Sequence, residues 1–528
     1  MEGVVVVIRS MVKRPEVWLV FIAICLSVSA YVFFYQQGTT LGYKDNYSHL
    51  EIGRRIVAGK ATGFGQLGGI WLPLQHVLIM LTAWNDYMYL TGLSGAVISM
   101  VSYVISTWCV FRIIWHLTGR HSAAWTAAAV FGLSANMLYL QSTSMGEVLM
   151  YLCITVTVLC LVRWIQTDHY GYLVSGAVAS LALTFTRYEG WVMALTFVGV
   201  VFYTCLRHRY ALVRGSQKGQ AMLLIFGFFP ALGIFGWLLW NQLIFGDWLN
   251  WLTGQYGSKD QVSTQTLTQV GNPRIAATTY WYAMVHTVTI PLIALAVVGL
   301  VVMLVREKFS PASVTVMSTL VMAPFFIWGL YAGNQPMHVV EVDGDLYNLR
   351  FGVVMMIPVS LLIGYLVGQL PAWRRLSSIA AVVVVCGLLG VTVPAFANDG
   401  SGIVTNREAH QAQLGMQEQA AVGAFIQDNT VGNVLMESFN NERILFPIQK
   451  RVIYEGSQDL WTSSLIDPTG KRNKIDIIVM RSTAGDTDLV YEKMYEKPVM
   501  YRYKLVLQTD NYLVYRKKGR SFYDQDSQ

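Results

Sequence analysis

The densest group of reactive side chains follows the first long apolar run of the sequence. Residues 43–55 read YKDNYSHLEIGRR and combine carboxylates, an imidazole and guanidiniums in one short stretch. On a helix, Asp45 and His49 lie four residues apart and share a face. His49 and Arg54 are also of the types that bind anions through charge-assisted hydrogen bonds. This density of polar groups favours a functional role for Asp45; the alternative is that Asp45 only caps the helix.

A glycine-rich segment follows almost directly. Residues 63–76 read GFGQLGGIWLPLQH, in which four glycines permit close backbone approach and unusual dihedral angles. Gln66, Trp71 and His76, with Gln75, are the side chains that we expect to contact a sugar or a lipid there. A plain re-entrant turn explains the same pattern, so both interpretations stay open at this stage.

Two further groups place charges at the ends of apolar runs. Glu147 follows the sequence STSMG at the predicted start of a helix, where the helix dipole favours a carboxylate whether or not it has a function. Residues 186–191 read TRYEGW and join two apolar runs. A charge at the bilayer centre costs about 2.5–3.5 kcal/mol on insertion scales, so Arg187 and Glu189 are expected at the membrane rim or in a polar cavity. They can pair with each other, and the planar fork of Arg187 also matches phosphate oxygens.

A later loop adds three candidates. Residues 338–351 read HVVEVDGDLYNLRF. Asp343 and Asp345 resemble the carboxylates that hold a hard divalent cation, although a solvated loop is the simpler explanation of two acids. Arg350 begins the next apolar run and is a second candidate anion ligand, and Tyr347 is a candidate substrate contact. No other cofactor is indicated.

Long apolar runs surround these polar groups. Of the 528 residues, 54% are hydrophobic and 13% are charged, whereas about a quarter are charged in soluble proteins. Runs such as 17–34 and 380–393 approach the roughly 20 residues that cross a bilayer as a helix, the form that satisfies its own backbone in lipid. The pattern predicts a polytopic α-helical membrane protein with about eleven spans, at roughly 16–35, 87–115, 122–140, 146–165, 171–186, 190–206, 221–244, 281–305, 312–332, 349–370 and 377–397. The short run at 71–83 is expected to be interfacial or re-entrant.

The loops between these runs differ in the sign of their charge. With the N-terminus in the cytoplasm, the loops at 112–120, 163–169, 207–218, 306–308 and 374–375 are inner and all are basic. The positive-inside rule therefore explains the net charge of +7 without nucleic acid, and predicts a multi-pass protein of the plasma (inner) membrane. The acids of the other face are Asp45, Glu51, Glu147, Glu189, Asp247, Asp260, Glu341, Asp343 and Asp345.

The end of the chain has a different pattern. A polar helix near 407–428 precedes short strands near 433–437, 475–480, 503–507 and 512–516, and about 130 residues are enough for one small core. We therefore predict a transmembrane domain at 1–397, with a first outer loop at 36–86, and a soluble extracytoplasmic α/β domain at 398–528. All six cysteines lie in apolar segments, which excludes a disulfide framework.

Together these features resemble the C-type (GT-C) membrane glycosyltransferase superfamily, particularly protein O-mannosyltransferases and aminoarabinose transferases. The resemblance rests on the motifs YKDNYSH, MGE and TRYEGW and covers about residues 15–397. It implies a polyprenyl-phosphate sugar donor, inverting transfer, and a first-loop carboxylate acting as base, a position that only Asp45 matches. Protein mannosyltransferases carry an adjacent Asp-Glu pair in this loop, whereas Asn46 follows Asp45 here.

The resulting hypothesis is an inverting glycosyltransferase of the cell envelope that glycosylates an extracytoplasmic glycan, lipid or protein. Asp45 takes the proton of the acceptor hydroxyl, Arg187 and Arg350 bind the donor phosphate together with Arg54 or His49, and Glu147 orients the acceptor or holds the loop. A transporter or lipid flippase is the alternative from another class, but repeats and midplane charges are not visible. A polymerase or ligase that uses lipid-linked sugars fits the sequence about as well.

Overall fold

The structure is a computed structural model that describes residues 15–207, 217–254, 267–371, 375–470, 473–483 and 485–519. The predicted loop charges Asp260 and Arg374, and most of the loop 207–218, lie outside these residues. The chain forms two compact units, here named the helical unit and the sheet unit. The helical unit comprises Met1–Thr40, Gly69–Gln75 and Gly95–Ala409, and the sheet unit comprises Leu41–Gly68, His76–Ser94 and His410–Gln528. The domain boundary at 397/398 stays a prediction.

The helical unit is a bundle of apolar helices. Nine helices of the described residues are long and apolar enough to cross a membrane: Pro15–Gln36, Leu93–Thr118, Glu147–Thr167, Glu189–Arg207, Gln217–Phe245, Ile290–Glu307, Pro311–Tyr331, Leu349–Gln369 and Leu376–Ala397. Two shorter apolar helices are Leu74–Ala83 and Tyr170–Thr184. Further helices are His121–Gly132, Ala135–Leu140, Asn250–Thr253, Pro273–Val288 and Val340–Asp343. The prediction of a multi-pass helical membrane protein is confirmed.

Three of the predicted spans are interrupted. The run 87–115 is divided into Asp86–Leu90 and Leu93–Thr118, and Gly92 has a φ of 77° between them. The run 281–305 contains the end of the helix Pro273–Val288 and most of Ile290–Glu307, because Thr289 adopts a φ of 84° between them. The run 122–140 is divided into His121–Gly132 and Ala135–Leu140, and the second helix begins at the Ser134 cap. Each break falls at a few small or polar residues inside a longer apolar run, so hydropathy averaged over a whole span does not reveal it.

The segment Leu349–Gln369 is the central helix of this unit. Of its apolar window, 94% is buried inside the protein, against 11% for Leu376–Ala397. Its first turns, Leu349–Met355, are a 3-10 helix. Gly352 permits the close approach of this segment to Pro273–Val288, because a Cβ there would lie 2.6 Å from Thr287 Oγ1. The start of the central helix is therefore held tightly against a neighbouring helix.

The sheet unit contains an α/β sandwich, as predicted for the end of the chain. Its strands are β1 (Asn433–Leu435), β2 (Val452–Ile453), β3 (Ile475–Thr483), β4 (Asp486–Thr487), β5 (Tyr503–Gln508) and β6 (Tyr512–Lys517). The order is β2-β1-β3-β6-β5, with β4 beside β3. Pairs β1–β2 and β1–β3 are parallel, and β3–β6 and β5–β6 are antiparallel.

Helices cover both faces of this sheet. Alternate residues of β3 enter different cores: Ile477 packs with helices Gln417–Asn429 and Glu442–Ile448, and Ile478 packs with Asp459–Ile466 and Leu489–Met494. The polar helix predicted at 407–428 is two helices, Val404–Gly415 and Gln417–Asn429.

Most of the first loop belongs to the sheet unit, and Gly69–Gln75 belongs to the helical unit. The loop contributes the first-loop helix (Lys44–Arg55), the 3-10 turn Phe64–Leu67 and the helix Asp86–Leu90 to the sheet unit. The ring of Phe446 lies between Tyr47 and Tyr89, with centroid distances of 4.9 and 4.4 Å. Aromatic packing thus joins residues that are some 350 positions apart in the sequence.

Candidate functional site

Arg187 is the centre of a buried ionic network in the helical unit. Its Nη1 donates to Glu147 Oε1 over 3.1 Å, and its Nε and Nη2 donate to Glu189 Oε1 over 3.3 and 3.0 Å. Both carboxylates are first residues of membrane helices, where the helix dipole stabilises negative charge. The predicted pairing of Arg187 with Glu189 is present, and Glu147 joins it.

Arg350 extends this network. Its Nε donates to the same Glu147 Oε1 over 3.0 Å, so one carboxylate oxygen bridges two guanidiniums. Glu408 lies beyond, with Oε1 3.9 Å from Arg350 Nη1. The backbone N–H groups of Asn348 and Leu349 donate to the two Glu408 oxygens over 2.6 and 3.1 Å. Glu408 therefore fixes the start of the central helix beside Arg350.

These five charged residues form what we call the ion cluster: Glu147, Arg187, Glu189, Arg350 and Glu408. Three carboxylates face two guanidiniums, so the formal charge of the cluster is negative. The ring of Phe351 lies 5.2 Å from the Cζ atoms of both Arg187 and Arg350. It also stacks on Phe326, which stacks on Tyr280, at 5.3 and 5.4 Å. An aromatic column thus supports the two arginines.

The opposite end of the helical unit is basic. Near the end of the helix that Glu147 begins, Arg163 contacts His116 at 3.3 Å. Arg112 pairs with Glu16 at 2.8 Å in the same region. Sixteen residues of helix separate Glu147 from Arg163, or about 24 Å at 1.5 Å per residue. The ion cluster and the basic residues therefore lie at opposite ends of one membrane helix.

Asp45 is half-buried in the first turn of the first-loop helix, within the sheet unit. The cap position is occupied by Tyr43, and the helix begins at Lys44. The alternative of Asp45 as the N-cap is therefore wrong. Beside it, Lys44 contacts Asn440 and lies 3.6 Å from Glu442 Oε2.

Arg54 and His49 are buried by contacts within the sheet unit. Arg54 pairs with Asp86, donates to Ala83 O over 2.8 Å and lies over the Tyr89 ring at 4.4 Å. His49 Nδ1 lies 2.9 Å from His76 Nε2. Arg54 and His49 thus have partners within the sheet unit, and their role as phosphate ligands stays a prediction.

Gln66 and Arg55 connect the first loop to the strands. Gln66 donates from Nε2 to Gly456 O over 3.0 Å and accepts from Tyr454 Oη over 2.5 Å. Arg55 lies 4.1 Å above the same Tyr454 ring and pairs with Glu51 at 3.0 Å. Burial raises the pKa of Glu51 well above its ordinary value, and Arg55 opposes this shift.

The remaining candidates are dispersed in the helical unit. Asp343 accepts from Val339 N and Thr268 Oγ1 over 3.2 and 3.1 Å, whereas Asp345 pairs with His338 at 2.9 Å. Within the described ranges, no group of three or more His, Cys, Asp or Glu side chains could hold a metal ion. Tyr347 is exposed, and Trp71 is half-buried.

The sequence did not single out Glu408, Gln335 or Tyr454. Glu408 is one acid in a polar helix, and its partners are backbone groups some 60 positions earlier. Gln335 donates to Glu189 Oε1 over 3.4 Å from an irregular loop. Tyr454 was one of many aromatic residues. Periodicity carries no signal for any of these contacts.

The helices and the α/β sandwich have the C-type fold, as comparison with solved structures shows. Two similar solved structures are of ArnT from Cupriavidus metallidurans. The form bound to undecaprenyl phosphate has a TM-score of 0.56 at 12% identity, over 95% of this chain and 98% of that one. The apo form has a TM-score of 0.54 at 12% identity, over 92% and 97% of the two chains.

A third similar structure is the apo oligosaccharyltransferase of Archaeoglobus fulgidus. Its TM-score is 0.51 at 11% identity, over 89% of this chain and 70% of that one. No family model and no curated protein matches the sequence. The expected C-type fold is confirmed, including its small domain of sheet and helices at the end of the chain.

Proposed function

We propose that this protein is an inverting glycosyltransferase that moves a sugar from a polyprenyl phosphate to an acceptor hydroxyl on the extracytoplasmic side of the membrane. The observation that carries the proposal is the ion cluster, in which the partly exposed Arg187 and the buried Arg350 share Glu147 at one end of a membrane helix. The structural relative from Cupriavidus metallidurans was solved with undecaprenyl phosphate, a lipid of the proposed donor class.

The proposed orientation rests on the different charges at the two ends of the helical unit. The basic residues Arg112 and Arg163 lie at one end and the ion cluster at the other. Basic residues favour the cytoplasmic side of a membrane. The N-terminus is accordingly proposed to be cytoplasmic and the ion cluster to lie near the other face, where the donor would be a lipid-linked sugar.

Arg187 is the proposed ligand of the donor phosphate. Its hydrogen bonds to described residues use three of the five N–H groups of a guanidinium, and its side chain is 18% exposed. The remaining N–H groups can donate to a phosphate and stabilise the charge that develops as it leaves. Arg350 is only 5% exposed, and its contact with Glu147 supports a role in positioning Arg187.

Asp45 is the proposed general base. The acceptor oxygen attacks the anomeric carbon, the bond from that carbon to the phosphate oxygen breaks, and the phosphate leaves with the electron pair. Asp45 accepts the proton of the acceptor hydroxyl, a role that typically contributes about 10²–10⁴-fold. Its ionised form suits this role because a carboxylate only accepts hydrogen bonds. Arg54, His49 and Gln66 are proposed to hold the loop that carries Asp45.

The test compares Asp45→Asn and Arg187→Lys with the wild type in detergent or nanodiscs. Undecaprenyl phosphomannose and undecaprenyl phosphoglucose serve as donors, and release of undecaprenyl phosphate is measured. Asp45→Asn is expected to lower kcat by about 100-fold or more with donor binding retained. Arg187→Lys is expected to weaken donor binding, because an ammonium lacks the planar fork.

Asp168→Asn is the matched control, because Asp168 makes a half-exposed pair with Lys218 near the basic end. It should turn over donor like the wild type. Wild-type turnover by Asp45→Asn would remove Asp45 from the role of base, and unchanged donor binding by Arg187→Lys would remove Arg187 from the phosphate site.

A further inference from the structure

Four polar atoms beside the ion cluster are buried and have no hydrogen-bond partner among the residues that the structure describes. They are Glu147 Oε2, Tyr151 Oη, Tyr280 Oη and Gln335 Oε1. Glu147 is 1% exposed, and both tyrosines are fully buried. Unpaired polar atoms in a protein interior are rare because each has lost its hydrogen bonds to water. Four around one cluster therefore need an explanation.

The four atoms belong to one neighbourhood of the helical unit. Glu147 and Tyr151 are four residues apart on one helix and share a face. The Tyr151 hydroxyl interacts electrostatically with Glu147, Glu189, Arg187 and Tyr280. Gln335 is hydrogen-bonded to Glu189 through Nε2, which leaves its Oε1 as the unpaired atom.

The chemistry of these atoms selects the ligand. Glu147 Oε2 and Gln335 Oε1 can only accept hydrogen bonds, and each tyrosine hydroxyl can donate and accept. The cluster already carries three carboxylates against two arginines, so a further anion is disfavoured at these four atoms. A neutral group with several hydroxyls supplies a donor for each acceptor and an acceptor for each tyrosine. Sugar hydroxyls have this property.

We propose that these atoms bind the hydroxyls of the donor sugar, beside the phosphate ligand Arg187. The inference rests on the proposed function and deepens it, because it assigns sugar recognition to Tyr151, Tyr280 and Gln335. Tyr280 suits this role because its ring is fixed by stacking on Phe326 at 5.4 Å, which orients its hydroxyl. The donor is then recognised in two parts, by a guanidinium for the phosphate and by a carboxylate, an amide and two phenol hydroxyls for the sugar.

The test uses Tyr151→Phe, Tyr280→Phe and the double variant, which remove hydroxyls and keep the rings. Binding of three probes is measured by native mass spectrometry: undecaprenyl phosphate, undecaprenyl phosphoglucose and undecaprenyl phosphomannose. The wild type is expected to bind at least one sugar lipid about tenfold more tightly than undecaprenyl phosphate. The double variant should lose most of this difference, with its affinity for undecaprenyl phosphate unchanged.

Tyr103→Phe is the matched control, because this buried hydroxyl donates to Gly132 O over 2.7 Å. It should keep the sugar-dependent difference in affinity while lowering the unfolding temperature. Tyr151→Phe should not lower that temperature, because no bond within the protein is lost. A drop equal to that of Tyr103→Phe would show a protein partner for the Tyr151 hydroxyl and overturn the proposal.

The outcomes separate this inference from the function on which it rests. Two outcomes overturn the sugar site and leave the lipid-phosphate donor in place. In the first, the wild type binds the sugar lipids no more tightly than undecaprenyl phosphate. In the second, the double variant keeps the higher affinity for the sugar lipids. A wild type that binds none of the three lipids overturns both.

Discussion

Arg350 Nε lies 3.0 Å from Glu147 Oε1, although the two residues are 203 positions apart. Glu147 is the first residue of one membrane helix, and Arg350 lies in the first turn of the central helix. Both side chains are almost fully buried, at 2% and 5% exposure. The pair therefore fixes the starts of two helices relative to each other inside the helical unit.

Replacing Arg350 by methionine should strongly destabilise the helical unit. The change leaves Glu147 with one guanidinium and Glu408 without its nearest cation, and breaking a buried pair costs about 3–5 kcal/mol. Arg112→Met is the comparison, because the Arg112–Glu16 pair is about one-quarter exposed and such pairs contribute about 0–1 kcal/mol. Thermal unfolding in detergent measures both. Equal shifts in unfolding temperature would mean that the Arg350 pair is no stronger than a surface contact.

Glu408→Gln should loosen the start of the central helix. The two Glu408 oxygens accept the N–H groups of Asn348 and Leu349, and a glutamine offers only one oxygen. One buried N–H is then left unpaired, at a cost of about 1–3 kcal/mol. Hydrogen exchange at Asn348 and Leu349 should accelerate. Glu341→Gln, in a partly exposed pair with His286, should not change it; equal protection in Glu408→Gln would contradict the capping role.

The contact between the first-loop helix and the strands should weaken as pH rises. Burial raises the pKa of Glu51 well above that of a free glutamate, while Arg55 lowers it and Glu442 and Glu455 raise it. The protonated form is favoured in the folded state, so its stabilising contribution is complete below the ordinary pKa and is lost as pH passes the raised pKa.

Hydrogen exchange of the helix Lys44–Arg55, corrected for intrinsic rates between pH 5 and 8, measures this dependence. Glu51→Gln keeps the side chain neutral and should flatten the profile. Glu492→Gln, at an exposed position, should keep it. A profile of the same slope in Glu51→Gln would assign the pH dependence to another group.

Tyr454→Ala should release the first loop from the strands. The substitution removes the ring under Arg55 and the hydroxyl that donates to Gln66. Trypsin cleavage after the exposed Lys60 should become several-fold faster, because loop opening precedes cleavage. Tyr454→Phe should show a smaller effect, and Tyr501→Ala, at an 80% exposed position, none. Equal cleavage rates in Tyr454→Ala and Tyr501→Ala would exclude this anchoring role.

Hydropathy predicted most of the membrane helices because lipid imposes one simple requirement, a continuous apolar stretch of sufficient length. It missed the break at Thr289, since hydropathy averaged over a span does not detect a single residue with a positive φ. The opposite charges of Arg187 and Glu189, two residues apart in the sequence, correctly indicated that they can form an ion pair. They did not reveal Glu408, whose partners are backbone N–H groups, or the packing of Tyr47 on Phe446, which depends on tertiary structure alone.

The sheet unit is built from two parts of the chain that are far apart in sequence, so its parts are synthesised at different times. The first-loop helix is synthesised about 390 residues before Glu442 and Phe446, against which it packs. At about 5–20 residues per second, this delay lasts roughly 20–80 s. Throughout that interval the chain carries Asp45 on a segment that lacks its partners. Because Phe446 and Tyr454 contact the first loop and are made near the end of synthesis, a chain that stops short of them lacks the packing partners of that loop.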